Sequence, residues 1–334
     1  MLIAAIFIPH EGCPYRCVFC NQKDITGTYR QADHERVEQT LHTYLRSRPT
    51  DTLPVKREAA FYGGSFTGLR MDRQEYLLSL IQPWIDSGEV QSIRVSTHPL
   101  FIDGERLALL KRYRVETVEL GIQSTDPDVL RLSGRECSLN DLHTAVDLIR
   151  SNGFRLGLQL MPGLPGDNDG IFQRSVDDVI RLQPEFVRLY PTVVIKHTPL
   201  YEMYCRNEYA PWGMEQTIES LKTAVLKFNR AGIHVARLGL HPDPAFLQNF
   251  VAGPYHPAMR YLVDSRICLE EMISGVDALE RLPAKVVFKV PPRRVSTYTG
   301  DKRENIYKLK KLFKFEEVSV QAETGLDAIQ LVMG

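Results

Sequence analysis

Apolar, β-branched stretches alternate with amphipathic helical stretches from the start of the chain to about residue 240. Strands regularly separated by helices form parallel βαβ units with right-handed crossovers. The predicted strands are 2–8, 58–62, 91–97, 115–121, 154–160, 185–190 and 233–238. The predicted helices between them are 33–47, 72–86, 103–112, 138–151, 170–182 and 215–231. Six or seven such units predict an α/β fold with a full or partial (β/α) barrel. We expect a partial (β/α)6 barrel followed by a small C-terminal α/β appendage.

The composition is that of a globular protein, with 334 residues, 43% hydrophobic and 25% charged. The formal net charge is zero, so a nucleic acid or a membrane surface would have to be recognised by a local patch. The apolar run Leu2–Ile8 lacks the basic flank and the length of a secretory signal, and no stretch approaches membrane-spanning length. We therefore expect a cytoplasmic protein with no membrane partner.

Polar and glycine-rich segments follow the predicted strands. Barrel enzymes place their chemistry at the carboxyl ends of the strands. The segments are 13–20, 63–65, 97–99, 121–124, 159–166 and 190–192. We expect them to meet at one mouth of the barrel.

Three cysteines, Cys13, Cys17 and Cys20, form a C-x3-C-x2-C cluster directly after the first strand. Three thiolates can hold three irons of a [4Fe–4S] cluster and leave the fourth iron open. Clustered cysteines without a secretory signal indicate metal or redox chemistry in the cytosol. Two alternatives stay open: a zinc site completed by His10, and three unrelated buried cysteines.

The cysteine run resembles the signature of the radical S-adenosylmethionine (SAM) superfamily, with the aromatic Phe19 before the last cysteine. The resemblance implies a TIM-like barrel of the radical SAM type. It also implies a [4Fe–4S] cluster and SAM as cofactors, with Phe19 beside them. An electron from the cluster would split SAM into methionine and a 5′-deoxyadenosyl radical, and a flavodoxin or ferredoxin would supply that electron.

Three further segments resemble SAM-binding segments of this superfamily. Gly63-Gly64-Ser65 is similar to a Gly-Gly-Glu segment whose backbone contacts the SAM amino group, with Ser65 in place of the glutamate. Gln123 and Arg135 match residues that hold SAM in coproporphyrinogen-oxidase and Elongator types, where the arginine faces its carboxylate. Gln159 stands where some relatives carry an aspartate for the ribose.

The segment 187–202 resembles the strand-six segment of the Elongator catalytic subunit, a tRNA wobble-uridine modifying enzyme. The resemblance implies that Tyr190 and Lys196 face the barrel mouth as candidate catalytic residues. It also implies that the substrate is an RNA, and among RNAs we expect tRNA. It covers residues 5 to 240. The roughly 90 residues beyond contain no R-x-x-G-x-[GA] loop and are too few for that subunit's acetyltransferase domain. A small-metabolite or protein substrate, and a non-catalytic iron–sulfur or zinc binding module, remain alternatives.

The predicted domains are 1–240, the radical SAM core barrel, and 241–334, an appendage that is a candidate substrate-binding region. Within the appendage, Lys285–Lys314 contains ten lysines and arginines against Asp301 and Glu304. The interleaved aromatic residues are Phe288, Tyr298, Tyr307, Phe313 and Phe315. Such a segment can hold phosphates and stack bases, so it is a candidate RNA or tRNA contact. The alternative is an amphipathic helix whose basic face lies in water.

Overall fold

The computed structural model of the protein describes residues 2–21, 32–46, 56–135, 137–241 and 244–333. The chain divides into two compact units. The N-terminal unit comprises Met1–Gly213 and Lys227–Tyr255, and the C-terminal unit comprises Met214–Leu226 and His256–Gly334. Within the described ranges, no helix has both the length and the apolar character needed to cross a membrane.

The N-terminal unit is built on a parallel sheet. In chain order its strands are β1 (Leu2–Phe7), β2 (Arg57–Tyr62), β3 (Ser92–Thr97), β4 (Val115–Gln123), β5 (Arg155–Leu160), β6 (Phe186–Leu189), β7 (Val194–Ile195), β8 (His234–Leu238) and β9 (Phe250–Ala252). Among the described residues, seven of them form one sheet in the order β1-β2-β3-β4-β5-β6-β8. Every neighbouring pair is parallel, with β1 and β8 at the edges. The predicted partial barrel is confirmed.

Helices separate most of these strands. They are α1 (His34–Arg46), α2 (Met71–Ser79), α3 (Gln82–Asp86), α4 (Gly104–Arg112), α5 (Pro127–Leu132), α6 (Leu139–Ser151), α7 (Asp169–Arg181), α8 (Pro199–Cys205), α9 (Met214–Arg230) and α10 (Pro244–Asn249). The single helix predicted over 72–86 is two helices, α2 and α3. Pro83 lies in the first turn of α3, where its missing N–H costs nothing, whereas inside one long helix it would remove a hydrogen bond.

Local sequence determines where several helices begin. Ser138 and Asp141 form a capping box at the start of α6, and Asp103 and Asn168 cap α4 and α7 by accepting backbone N–H groups. Each cap directly precedes an amphipathic stretch with a buried apolar face, which includes Leu107 of α4, Leu142 of α6 and Phe172 of α7. The caps and the helical pattern thus agree on the same boundaries.

Residues after 240 extend the N-terminal unit beyond its predicted end. Strand β9 pairs antiparallel with β7. Phe246 of α10 is 1% exposed and clusters with Val193 and Ile195. Because of these contacts the unit continues to Tyr255, so the division differs from the predicted boundary at 240/241.

The C-terminal unit is a small α/β structure. In the part of it that is described, it contains the Met214–Leu226 part of α9, followed by α11 (Met259–Asp277), β10 (Lys285–Val290), α12 (Val295–Thr299), α13 (Glu304–Phe313), β11 (Glu317–Ala322) and β12 (Gln330–Met333). Strand β10 lies between β11, to which it is parallel, and β12, to which it is antiparallel. Phe288, Tyr298 and Leu309 are fully buried in its own hydrophobic cluster.

Candidate active site at the carboxyl ends of the strands

The cysteine-bearing loop follows β1, and main-chain hydrogen bonds hold it in place. Cys20 N donates to Cys17 O over 3.0 Å, which closes a turn between two of the cysteines. Val18 N donates to Ser133 O over 3.0 Å, which ties the loop to the end of α5. Cys17 is buried, and Cys13 and Cys20 are partly buried; all three are free thiols. Within the described residues no three Cys, His, Asp or Glu side chains converge on a single metal position. A cubane instead takes each thiolate on a separate iron.

Glycines allow the loop after β2 to touch the cysteine-bearing loop backbone to backbone. A Cβ at Gly64 would lie 2.4 Å from Glu11 O and 2.5 Å from Ile8 O. Gly12 has φ 73°, and a Cβ there would lie 2.3 Å from Ser65 O. A side chain at either position would separate the two loops. The Gly63-Gly64 pair therefore fixes the cysteine-bearing loop to the edge of the sheet.

Ser65 is 2% exposed, and its hydroxyl is used inside the protein. Its Oγ shares a 2.9 Å hydrogen bond with Thr97 Oγ1 and accepts the backbone N–H of His98 over 3.0 Å. The side chain thus joins the loops after β2 and β3. It does not take the place of a ligand-facing glutamate, so a contribution of Ser65 to SAM binding would come from its backbone.

Gln123, Arg135 and Gln159 converge on Gly121, near the end of β4. A Cβ at Gly121 would lie 2.9 Å from Gln123 Nε2, 3.6 Å from Arg135 Nη2 and 3.7 Å from Gln159 Oε1. Arg135 Nη2 donates to the Gly121 carbonyl, and Arg135 Nη1 lies 3.5 Å from Cys17 Sγ. The structure therefore brings the three predicted SAM residues together, with the arginine beside a cysteine.

The backbone around Gln123 is strained. Its φ is 68°, and the pairing of β4 with β5 shifts register between Gly121 and Gln123. Bulges and left-handed non-glycine residues redirect side chains and are common beside active sites. Here the bulge turns the Gln123 side chain back over Gly121.

Three buried polar atoms in this region have no hydrogen-bond partner among the described residues. They are Gln123 Oε1, Arg135 Nε and His98 Nε2. A buried polar atom left unpaired costs about 1–3 kcal/mol, so native proteins rarely leave several together without a ligand. One acceptor and a guanidinium donor suit a zwitterionic ligand with an amino group and a carboxylate. The donor set therefore fits SAM beside the cysteine-bearing loop.

In the sequence, His98 stands out only as part of the third strand end. It is 3% exposed, and its Nδ1 accepts the backbone N–H of Leu100 over 3.2 Å. Its ring stacks on Tyr15 with centroids 4.6 Å apart and planes at 27°. Burial, with Arg135 adding to it, lowers the pKa of His98 to about 3, so the imidazole is neutral.

A buried charge network that the sequence analysis missed lies on the inner face of the sheet, centred on Glu119. Glu119 Oε1 accepts from Arg94 Nη1 (2.7 Å), Tyr62 OH (2.9 Å) and Arg188 Nη2 (3.1 Å). Gln159 Nε2 donates to Glu119 Oε2 over 3.2 Å, so the network orients the Gln159 amide. Burial, reinforced by Glu119, raises the pKa of Tyr62 well above its usual value.

The remaining predicted site residues are more scattered. Tyr190 directly follows β6, where its phenol hydrogen-bonds to Arg188 and burial raises its pKa. Lys196 is exposed after β7, and its backbone N–H donates to Asn249 O over 2.9 Å. Phe19 is partly buried and packs against the cluster of Val194, Leu200 and Tyr209. Tyr190 thus joins the Glu119 network, whereas Lys196 faces solvent.

Comparison with curated proteins gives relatives that match about two thirds of this chain. A tRNA uridine(34) acetyltransferase from Methanocaldococcus infernus is 24% identical over 66% of this chain and 48% of its own length. Elongator complex protein 3 from Mus musculus is 29% identical over 65% of this chain and 47% of its own. The heme chaperone HemW from Bacillus subtilis is 26% identical over 70% of this chain and 62% of its own. The chain spans about half the length of the first two relatives.

Among solved structures, the archaeal Methanocaldococcus infernus Elp3 with an N-terminal deletion superposes with a TM-score of 0.61. The match is 22% identical and covers 81% of this chain and 63% of that one, which shows a shared fold.

Family models match the radical SAM superfamily over residues 7–179 and the Radical_SAM C-terminal domain over 184–268. The first match covers more than half of the 334 residues and contains the cysteine-bearing loop and the converging polar side chains around Gly121. This chain therefore belongs to the radical SAM superfamily, and it is an enzyme whose cofactors are a [4Fe–4S] cluster and S-adenosylmethionine.

Proposed function

We propose that this radical SAM enzyme modifies RNA, with tRNA as its substrate. The observation that carries the proposal is the similarity of the barrel to tRNA uridine(34) acetyltransferases and to Elongator complex protein 3 over two thirds of this chain. Tyr190, in the segment after β6, lies next to the buried network. Acetyl transfer is not part of the proposal.

We assign the cofactor contacts residue by residue. Cys13, Cys17 and Cys20 hold the cluster, Arg135 pairs with the SAM carboxylate, and Gln123 accepts from its amino group. Gln159, oriented by Glu119, offers its carbonyl oxygen to a ribose hydroxyl. The backbone of Gly63-Gly64 contacts the SAM amino group. The chemistry that the cofactors supply when bound is reductive cleavage of the SAM sulfonium followed by hydrogen-atom abstraction, with a flavodoxin or ferredoxin as electron donor. The buried strand ends keep water from this space.

The C-terminal unit supplies a surface for the RNA backbone. Of the ten cations in Lys285–Lys314, four pair with glutamates: Lys285, Lys289, Arg294 and Lys308. The other six have no acidic partner in the described part of the chain: Arg293, Lys302, Arg303, Lys310, Lys311 and Lys314. Charges left unpaired are the ones available to phosphates.

Helix α13 and the residues that flank it carry part of this charge, which we call the basic face: Arg303, Tyr307, Lys310, Lys311 and Lys314. Helical spacing places Tyr307, Lys310 and Lys311 on one side of α13, and Arg303 and Lys314 directly precede and follow the helix. Tyr307 is 63% exposed, whereas Phe288, Tyr298 and Phe315 are buried and Phe313 is partly buried. Of the aromatic residues predicted to stack on bases, Tyr307 alone is therefore presented to solvent among those the structure describes.

A binding experiment tests the role of the basic face. The triple variant Lys310→Ala, Lys311→Ala, Lys314→Ala should bind total tRNA more weakly in filter assays. It should also have a shallower dependence of log K on log salt, by about 0.7–0.9 for each phosphate that is no longer neutralised. The matched control is Lys285→Ala, Lys289→Ala, which removes two cations that are already paired with glutamates. Equal losses of affinity in both variants would show that the basic face is not a specific tRNA contact.

The modification itself is tested in cells. Nucleoside mass spectra of tRNA from a deletion strain should lack a modified nucleoside that the parent strain contains. Complementation with the parent gene should restore it, and complementation with Cys17→Ala should not, because one cluster ligand is missing. If the tRNA nucleosides of the two strains are identical and the protein binds tRNA no better than a neutral control protein, a small-metabolite or protein substrate replaces RNA.

A further inference from the structure

His98 presents a buried hydrogen-bond donor with nothing in the described chain to accept it. The side chain is 3% exposed, and Nε2 has no hydrogen-bond partner among those residues. Leaving such a donor unpaired costs about 1–3 kcal/mol, so an acceptor from outside the chain is expected. The residue follows β3, at the same edge of the sheet as the cysteines and Arg135.

The hydrogen bond at His98 Nδ1 determines which ring nitrogen carries the proton. His98 Nδ1 accepts the backbone N–H of Leu100 at 3.2 Å, which caps the turn 99–101. A neutral imidazole that accepts at Nδ1 carries its proton on Nε2. His98 Nε2–H is therefore a donor, fixed in direction by the turn.

Aromatic contacts place this donor against the cysteine-bearing loop. Tyr15 lies between Cys13 and Cys17 in sequence, and its ring stacks on the imidazole at 4.6 Å. Phe101 flanks both rings, with centroids 6.2 Å from Tyr15 and 5.8 Å from His98. The three rings support the loop from the side of β3. Acceptors brought by a cluster bound on that loop are its sulfides and the cysteine sulfurs.

We propose that His98 is a positioning residue for the iron–sulfur cluster, donating a hydrogen bond from Nε2 to one of its sulfur atoms. The inference rests on the cysteine ligands assigned above and does not depend on the RNA substrate. Hydrogen bonds to cluster sulfurs are among the features that set reduction potentials. Since the reduced cluster carries one more negative charge, the donor stabilises the reduced state and eases the electron transfer that SAM cleavage requires.

Two variants separate the donor from the turn. His98→Asn keeps a side-chain acceptor for Leu100 N, as asparagine does at helix caps, but lacks a group at Nε2. His98→Gln carries an amide N–H at about the reach of Nε2. Redox titration of the anaerobically reconstituted protein without SAM, followed by electron paramagnetic resonance, gives the midpoint potential. We expect His98→Asn to lower the equilibrium constant for reduction about tenfold, which is about 59 mV for one electron. His98→Gln should retain most of the parent value.

Controls decide between the cluster and SAM as acceptor. Leu100→Ala changes a 39% exposed side chain in the same turn and should titrate like the parent. If His98→Asn carries a full complement of iron and sulfide and titrates at the parent potential, the inference is overturned. Weaker SAM binding by calorimetry with an unchanged potential also overturns it and assigns the donor to SAM. If the Asn variant takes up no iron, the Gln variant decides: it must load a cluster and titrate near the parent.

Discussion

At the scale of single residues, Glu119 shows how the inner face of the sheet tolerates charge. The carboxylate is fully buried and receives hydrogen bonds from Arg94, Arg188 and Tyr62. Arg94 also donates to Glu58 over 2.6 Å. Isolated buried charges are costly, but paired charges with good geometry offset much of that cost. Burial opposes ionisation of Glu58, yet the charge and hydrogen bonds of Arg94, helped by Ser92 and Lys56, together outweigh it and lower the pKa of that carboxyl.

Removing the charge of Glu119 should therefore destabilise the fold. In Glu119→Gln, two buried guanidiniums lose a shared counter-charge, and we expect a loss of about 3–5 kcal/mol in the free energy of unfolding, measured in urea. Glu116→Gln on the same strand is the control: its side chain is 46% exposed and pairs with Lys56. That exposed pair should be worth less than about 1 kcal/mol. Equal costs for the two variants would show that the network contributes little to stability.

At the scale of elements, the loop after β5 combines a tight turn with a buried acid. Asp167 Oδ2 accepts the backbone N–H of Gly163 over 2.8 Å, and Tyr209 OH donates to Gly163 O over 2.7 Å. A Cβ at Gly163, where φ is 85°, would lie 3.3 Å from Trp212. Burial raises the pKa of Asp167 to about 7, although the backbone donors of Gly163 and Asn168 oppose the change.

This raised pKa predicts a dependence of stability on pH. A carboxyl whose pKa rises from 3.8 to about 7 on folding favours the folded state in its protonated form. Its contribution is fully present below pH 3.8 and is lost as the pH rises through about 7. Between about pH 5 and about pH 8, the free energy of unfolding of the parent should fall relative to Asp167→Asn. Asp147→Asn, which removes an exposed carboxylate on α6 that does not contribute to the raised pKa of Asp167, is the control. A gap to Asp167→Asn that does not change with pH would contradict the prediction.

Strand and helix positions could be predicted from the sequence, because each element carries its own periodicity and caps. Strand β4 was predicted to end at residue 121, but it continues to Gln123 because a bulge lets the pairing with β5 resume. Pairing between segments that are distant in sequence cannot be predicted in this way. Strand β9 is only three residues long, and it forms because it pairs with β7. The same holds for the site. The resemblance identifies Arg135 and Gln159. Glu58, Arg94 and Glu119 are visible in the sequence as charges inside apolar strands, but which of them pair depends on which strands are neighbours in the sheet.

At the scale of the whole molecule, the C-terminal unit has a hydrophobic cluster formed by its own residues. Phe288 on β10, Leu309 on α13 and Cys268 on α11 belong to it, and all three are fully buried. Both tryptophans of the chain, Trp84 and Trp212, lie in the N-terminal unit. Tryptophan fluorescence therefore reports on one unit, while circular dichroism reports on both.

This distribution makes the two units separable by experiment. Phe288→Ala should destabilise the C-terminal unit by about 3–5 kcal/mol, as expected for a buried phenylalanine. A urea transition seen by circular dichroism should move to lower concentration, while the transition seen by tryptophan fluorescence should not. Leu312→Ala, at a side chain 59% exposed, should change either transition by less than about 0.5 kcal/mol. Equal shifts of both signals in Phe288→Ala would mean that the chain unfolds as one cooperative body.

The contact between the loop after β2 and the cysteine-bearing loop has a consequence for how this enzyme can change. At Gly12, Gly64 and Gly68 a Cβ would lie 2.0 to 2.4 Å from a main-chain oxygen of the other loop. None of the three positions has room even for alanine. Direct contact between the main chains of the two loops therefore determines where the thiols lie. Attempts to redirect the enzyme to a new substrate should therefore keep these three glycines, and also Arg188 and Tyr190 at the end of β6, which belong to the buried Glu119 network.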